Sequence, residues 1–539
     1  MGSTISNKMA IIFAILCILS TVADARTPDD KLCSTDDDCR TPFSFCVNSF
    51  CEHKDVFPIE WQEIIGVFII FITISLGNAV GIGGGAIIVT VGTTLFYFTI
   101  RQSVAVATVV IFFAMISGYI QNFHARHPLK NATLVDYGIV QCQMPLIALG
   151  TFIGATVSEA IPSTVIFILL FLTLLYATYH TFALAISTSQ KEERLNVERK
   201  EIGVAKRVDA MLRKDERGED VIPAVSNGEA QVPFMDDAPA HVRESFVSVV
   251  SESENITIDG EVVRPEVKFD DDDIDKRDLI HCIGAARAVY TPEEINPVLE
   301  KIFHGERSHF TLDKGILVLV PWGSIVLISL FRGSQNFKSV IGVTRCNFMD
   351  FFLIFMEILI LGFFALINIV LLKRSHAEKK AYGYKFVRGD LMWNNETIFA
   401  FGILAIVGAL VGGLVGLSTE VLFTPFYIQF GAPPSAAGVT SQFLGIFATL
   451  GAATVYAFNG YILWGHAIWL GFVGAVATLV GSYEVGRYFG KINKASFPIF
   501  VIAILVAASL IAEGITGVVR TIRRNNDGED IWAIGAFCP

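Results

Sequence analysis

Leu76-Gly77-Asn78-Ala79-Val80-Gly81-Ile82-Gly83-Gly84-Gly85-Ala86-Ile87-Ile88-Val89-Thr90 and Val411-Gly412-Gly413-Leu414-Val415-Gly416-Leu417-Ser418-Thr419-Glu420-Val421-Leu422-Phe423-Thr424-Pro425 are two versions of one pattern within a chain of 539 residues. Gly77 matches Gly412 and Gly81 matches Gly416 at one fixed offset. Further on, Ala105-Val106-Ala107-Thr108 recurs as Ala437-Gly438-Val439-Thr440. In each copy an apolar stretch of about one membrane thickness leads into the glycines and a shorter one leaves them. Glycines so dense either permit close helix packing or break the helix, and Gly83-Gly84-Gly85 in a row favours a break. Breaks at corresponding places in two repeats are the sequence signature of a transporter binding site. There the N-terminus of a half-helix offers free amides and a positive dipole end to an anion.

Outward from these motifs the chain is apolar. Hydrophobic residues make up 53% and charged residues only 17%, where globular domains carry roughly 25% charged. The apolar runs form two groups: 64–98, 103–123, 137–157 and 161–186, then 398–430, 435–458, 467–488 and 497–519, with two more at 315–331 and 351–372 between the groups. Each is close to the ~20 residues that cross a hydrocarbon core. The expected fold is therefore all-α and polytopic, with about 10 full spans plus two half-helices in two homologous, inverted repeats.

The order of a Gly-Ile-Gly-Gly-Gly break, a short apolar helix and an A-x-A-T helix, repeated with Pro425 late in the second half-helix, resembles the TauE/SafE sulfite-exporter-like family. The resemblance covers 64–186 and 398–519. It implies a carrier, in the export direction, of sulfite, sulfonates or related small anions. Two positions depart from the family pattern. Thr90 stands where proline is usual, and Gly416-Leu417-Ser418-Thr419-Glu420 replaces Gly-Ile-Gly-Gly-Gly.

The remaining segments are appendages. Residues 1–25 have the layout of a signal peptide, with Lys8, an apolar core and Ala23-Asp24-Ala25; an uncleaved anchor is the alternative. Residues 26–61 hold Cys33, Cys39, Cys46 and Cys51, whose density after such a leader reads as two disulfides in an extracellular or lumenal knot. Zinc is the competing reading, but no C-x-x-C pair is present. Repeat one is placed at 62–187, an acidic and largely disordered linker at 188–313, two connecting helices at 314–373, and a basic loop at 374–396. Repeat two is placed at 397–519 and a tail at 520–539. Ser245, Ser251 and Ser253, each beside a glutamate in the linker, are candidate phosphorylation sites.

The net charge of −11 belongs to these appendages. Residues 191–313 carry 17 basic and 29 acidic side chains, and residues 26–63 carry 4 and 9, so the apolar body is weakly basic. Basic clusters follow the first group and precede the second, which puts both in the cytoplasm. The 35 residues of 64–98 are too long for one crossing. If the chain turns back at the glycines, an odd number of crossings separates knot from linker and the charges agree. Arg520, Arg523 and Arg524 then fall outside. The sequons at Asn131 and Asn395 fall in the cytoplasm and should stay unglycosylated; glycan on Asn131 would overturn this topology.

Candidate substrate-binding residues are Gly81, Gly83, Gly84 and Gly85 with Thr108 in the first repeat, and Gly416, Ser418 and Thr419 with Thr440, Ser441 and Gln442 in the second. Of the ionisable residues His180, Glu357, Glu420, His466 and Glu513, Glu420 stands out because it opens the second half-helix. It carries a proton for coupling or caps the freed amides. No nucleophile–base pair, phosphate loop or metal-ligand cluster is evident, so neither enzyme nor ATP-driven pump is expected, nor any cofactor. The partners implied are a small inorganic or organic anion and the lipid bilayer, with proton coupling and no nucleic acid. The alternative class is a membrane receptor or scaffold that uses the knot and the acidic linker.

Overall fold

The computed structural model describes residues 33–36, 39, 43–47, 50–80, 84–127, 130, 132–215, 297–309, 311–334, 338–387, 390–485, 496–526 and 532. The signal-peptide segment, most of the acidic linker and its three serines, Asn131, Gly81 and Gly83 lie outside them. Two strands, β1 (Ser44–Val47) and β2 (Phe50–His53), form an antiparallel hairpin. All else regular is helical: α1 (Trp61–Val80), α2 (Gly85–Thr94), α3 (Ile100–Asn122), α4 (Tyr137–Ala160), α5 (Ser163–Asp215), α6 (Pro297–Arg307) and α7 (Leu312–Arg332). Then follow α8 (Phe348–Ala381), α9 (Asn395–Val415), α10 (Glu420–Gln429), α11 (Pro434–Phe458), α12 (Trp464–Val480) and α13 (Ser496–Asn526). Ten of these helices are long and apolar enough to cross a membrane, and α2 and α10 are ten-residue half-helices. The protein is an all-α polytopic membrane protein.

Both β strands carry the knot, in which Cys33 pairs with Cys46 and Cys39 with Cys51. All four sulfurs of the knot are thereby paired, as the disulfide reading expects. Two clasps hold the hairpin on the bundle. Lys54 bridges to Glu63 at 2.7 Å, and the His53 ring reaches the Phe96 carbonyl at 2.8 Å and the Lys54 carbonyl at 3.0 Å. Burial lowers the His53 pKa below its ordinary value.

The helices alternate between two faces. At the knot face, Glu63 at the start of α1 approaches His466 at the start of α12, and Arg345 joins Glu159 at the end of α4 to Asn459 after α11. At the opposite face, Thr133 bonds Glu306, Lys379 pairs with Glu306, and Lys130 pairs with Asp390. The hairpin of α1 and α2 therefore enters from the knot face and returns to it at Phe96. The hairpin of α9 and α10 enters from the other face and returns there, where Phe430 meets Phe401. Helices α3, α4 and the 163–186 part of α5 cross once each, so the knot and Ile186 lie on opposite faces. By the same alternation α13 ends at the knot face, where Arg520 bonds the Thr93 carbonyl.

Packing repeats with the sequence. Helix α1 packs on α12 while its counterpart α9 packs on α4; α3 packs on α12 while α11 packs on α4; and each half-helix packs on the helix that follows it. These reciprocal contacts are what two interlocked repeats of opposite orientation produce. Helices α3, α4 and α11 are largely enclosed, whereas α5, α7, α8 and α13 bury only about a third of their apolar stretches. On α8, exposed Phe355, Phe363 and Leu366 make the apolar surface that a bilayer solvates. Helix α6 falls within the segment read from sequence as linker, and its Leu299 is buried.

Candidate functional site

The second break turns on Gly416. Helix α9 stops at Gly416, whose φ of 72° is left-handed and whose N–H closes the last turn on the Gly412 carbonyl. A Cβ there would also sit 3.2 Å from the Val104 Cα. Gly416→Ala should cost about 1–2 kcal/mol from the left-handed backbone alone. Thermal unfolding in detergent would read this as a lowered midpoint, with Gly438→Ala, whose Cβ has open space, unchanged.

Gly85, the first residue of α2, meets that second break directly. A Cβ on Gly85 would lie 2.6 Å from the Ser418 nitrogen and 3.1 Å from the Gly416 oxygen. The two hairpins thus touch tip to tip, backbone on backbone, inside the bundle. Both half-helices begin there, so two sets of N-terminal amides without helical acceptors converge, each with a positive dipole end.

A narrow cavity of about 10 Å³, room for about one water, lies at this junction. Ile74, Ile88, Ile111 and Met115 supply its apolar wall, and Asn78, Gly84, Ser418 and Glu420 its polar one. Glu420 is 2% exposed, and its carboxylate faces Ser418 and Gln442. Gln442 Nε2 donates to Asn78 Oδ1 at 3.1 Å, and Asn78 Nδ2 donates to Thr478 Oγ1 and to the Ile74 carbonyl. Polar ties from α1, α11 and α12 therefore brace one side of the cavity.

Several buried polar atoms here have no partner among the described residues: Thr73 Oγ1, Ser418 Oγ, Thr419 Oγ1, Glu420 Oε1 and Gln442 Oε1. Thr73 adjoins Gly84, and Thr419 adjoins Gly445. An unsatisfied buried polar atom costs about 1–3 kcal/mol, a cost that a polar guest at this place would offset. No lysine or arginine lines the cavity. Any positive potential for an anion comes from the helix ends.

The structure brings Gly84, Gly85, Gly416, Ser418, Thr419, Glu420 and Gln442 together. The other predicted polar residues are engaged elsewhere. Thr108 donates to the Ala105 carbonyl, Thr440 accepts from the Asp136 amide at the far face, and Ser441 bonds Thr424. Sequence reasoning passed over Asn78 and Thr73. Asn78 was findable, since it is the only amide side chain in the apolar run 64–98.

Among known proteins, the family model described as Sulfite exporter TauE/SafE matches residues 6–208 and 337–517. The Arabidopsis thaliana protein named Sulfite exporter TauE/SafE family protein 3 is 23% identical over 86% of this chain and 81% of its own length. Family protein 1 of the same plant is 27% identical over 36% of this chain and 44% of its own. No solved structure matches. With the matched segments covering both breaks, eight of the ten spans and most of α13, the chain belongs to the TauE/SafE family of membrane transporters.

Proposed function

We propose that the protein is a secondary transporter that exports sulfite, an organosulfonate or a related small oxyanion, bound where the two breaks meet. The observation that carries this reading is the convergence of two half-helix N-termini on one cavity that holds unpartnered Ser418 and Glu420 oxygens. Amides and hydroxyls donate to oxyanion oxygens, and the dipole ends favour their charge. The family name and the names of its plant relatives point to the same chemical class.

Two hairpins that enter from opposite faces suit alternating access, since rocking one repeat against the other exposes the junction to each side in turn. In this reading the knot is extracellular or lumenal, the linker and the loop carrying Lys379 and Lys380 are cytosolic, and the protein resides in a membrane of the secretory route. Asn395 at the start of α9 is then cytosolic and carries no glycan, which digestion with a glycosidase followed by mass spectrometry would check. Glu420 is assigned the coupling proton.

The primary test is flux of labelled sulfite and sulfoacetate in proteoliposomes holding the full chain. Saturable flux supports the reading. Absence of flux with every small oxyanion tried, from a folded and inserted protein, rejects it in favour of a receptor or scaffold.

A further inference from the structure

Between the cavity and the face opposite the knot stand three aromatic rings. Met115 of α3 lines the cavity, and Gly118 packs on Gln442. Helix α3 runs away from the knot face, so Tyr119 lies one turn beyond Met115 on the same side of the helix. Phe443 follows Gln442 on α11, and Tyr137 opens α4. The Phe443 ring is 5.2 Å from that of Tyr119 and 5.9 Å from that of Tyr137, centre to centre. The Tyr119 and Tyr137 hydroxyls face each other.

A second layer covers the first. Phe123, one turn after Tyr119, stacks on His309 at 4.4 Å. Lys314 Nζ stands 3.5 Å from the centre of the Tyr137 ring, and the Tyr137 hydroxyl donates to the His309 carbonyl at 3.2 Å. The same ammonium donates to the Gly305 and Ser308 carbonyls where α6 ends. Helix α6 is itself fastened, because Arg126 donates to the Arg307 carbonyl at 2.9 Å and Lys379 pairs with Glu306 at 2.6 Å. His309 thus joins the turn from α6 into α7 to the end of α3, and Lys314 joins it to the start of α4.

These contacts cross a seam. Tyr119 and Phe123 travel with α3, which packs on α12, whereas Tyr137 and Phe443 travel with α4 and α11, which pack on each other. Alternating access requires such a seam to part on one side of the site at a time. Stacked rings and an ammonium over a ring can part and re-form without stranding a buried charge, as breaking a buried ion pair would.

We propose that Tyr119, Tyr137 and Phe443 form the gate on the face opposite the knot, and that the turn from α6 into α7 is its latch, fastened by Lys314 and His309. The proposal rests on the transport reading for what passes the gate, but not for its one-sided control of access to the cavity.

The test measures that access in the full chain. Ser418→Cys places a reporter in the cavity wall, and a membrane-impermeant thiol reagent is offered to sealed vesicles of each orientation. Modification is read by mass spectrometry on the peptide that carries residue 418. In this background Tyr119→Ala should raise the rate from the face opposite the knot about tenfold, and Lys314→Gln about threefold, with no increase from the knot face. Phe363→Ala, on the exposed side of α8, is the control and should change neither rate. No rise with either variant, or an equal rise from both faces, overturns the gate. Lys314 is only partly buried, so Lys314→Gln decides the matter alone if the loss of the Tyr119 ring prevents folding. If the unaltered protein moves no anion yet access changes as stated, the gate stands and the transport reading fails. Saturable flux with access unchanged in both variants leaves transport standing and removes the gate.

Discussion

Substituting leucine for Gly85 should reduce anion flux about a hundredfold or more while the protein still folds and inserts. The Cβ alone would stand 2.6 Å from the backbone nitrogen of Ser418, and backbone cannot swing aside as a side-chain tip can. The two hairpin tips must separate by an ångström or more, and the leucine branches then fill the cavity. Over-packing of this kind costs about 1–3 kcal/mol, which a bundle of ten apolar helices absorbs. What it removes is the approach of the two half-helix ends to a single guest. Gly438→Leu is the matched control, since nothing lies within 4 Å of its added Cβ. Equal flux from the Gly85 variant and the control, at equal amounts of inserted protein, would refute the placement of the site.

The second large effect is expected at Glu420. An ionised carboxylate about 4 Å from a bound anion costs on the order of 4 kcal/mol at an effective dielectric constant of 20, enough to exclude the anion almost entirely. Binding of the anion therefore requires the protonated acid, and flux in the unaltered protein should rise as the pH falls. Glutamine mimics the protonated form in shape and charge. Glu420→Gln should accordingly give flux that no longer varies with pH, near the level the unaltered protein reaches in acid, and that no longer responds to a proton gradient. A capping role predicts something else. Glutamine caps amides less well than a carboxylate, so flux would fall at every pH and the slope would remain. A retained slope rejects proton carriage by this residue.

Much of this architecture was legible because it is written in periodic or repeated features. The ten apolar stretches, the two glycine clusters and their common offset lead to two repeats, and the excessive length of 64–98 leads to a hairpin without any coordinate. The charge balance leads, as an expectation, to opposite faces for knot and linker. Polar residues near the breaks were visible as a set, but not their division of labour. Thr440 and Gln442 are two residues apart on α11, yet one caps the far face and the other braces the cavity, because helix rotation places them about 200° apart.

The knot-face ties were not legible at all. Glu63, Glu159, Arg345, Asn459 and His466 each sit at the edge of a different apolar stretch, where a single polar residue is ordinary. Only the alternation of helices brings those edges to one face. The same holds for Asn78 and Thr478, which meet across 400 residues. The pairing of the four knot cysteines likewise depends on the β1–β2 register, in which Cys46 stands opposite Cys51 and each bonds elsewhere.

The seam between Gly85 and Ser418 separates two jobs that many binding sites combine. Its closeness depends mainly on backbone, a nitrogen and a carbonyl oxygen against a glycine hydrogen, with Ile111 the side chain that also closes on it, so the mechanical joint is separate from the polar side chains of the cavity. Selectivity can then be rewritten at Asn78 and Ser418 without reopening the joint. Such a protein is a suitable frame for retargeting: libraries at these two positions should alter which anion passes while leaving the machinery of passage in place.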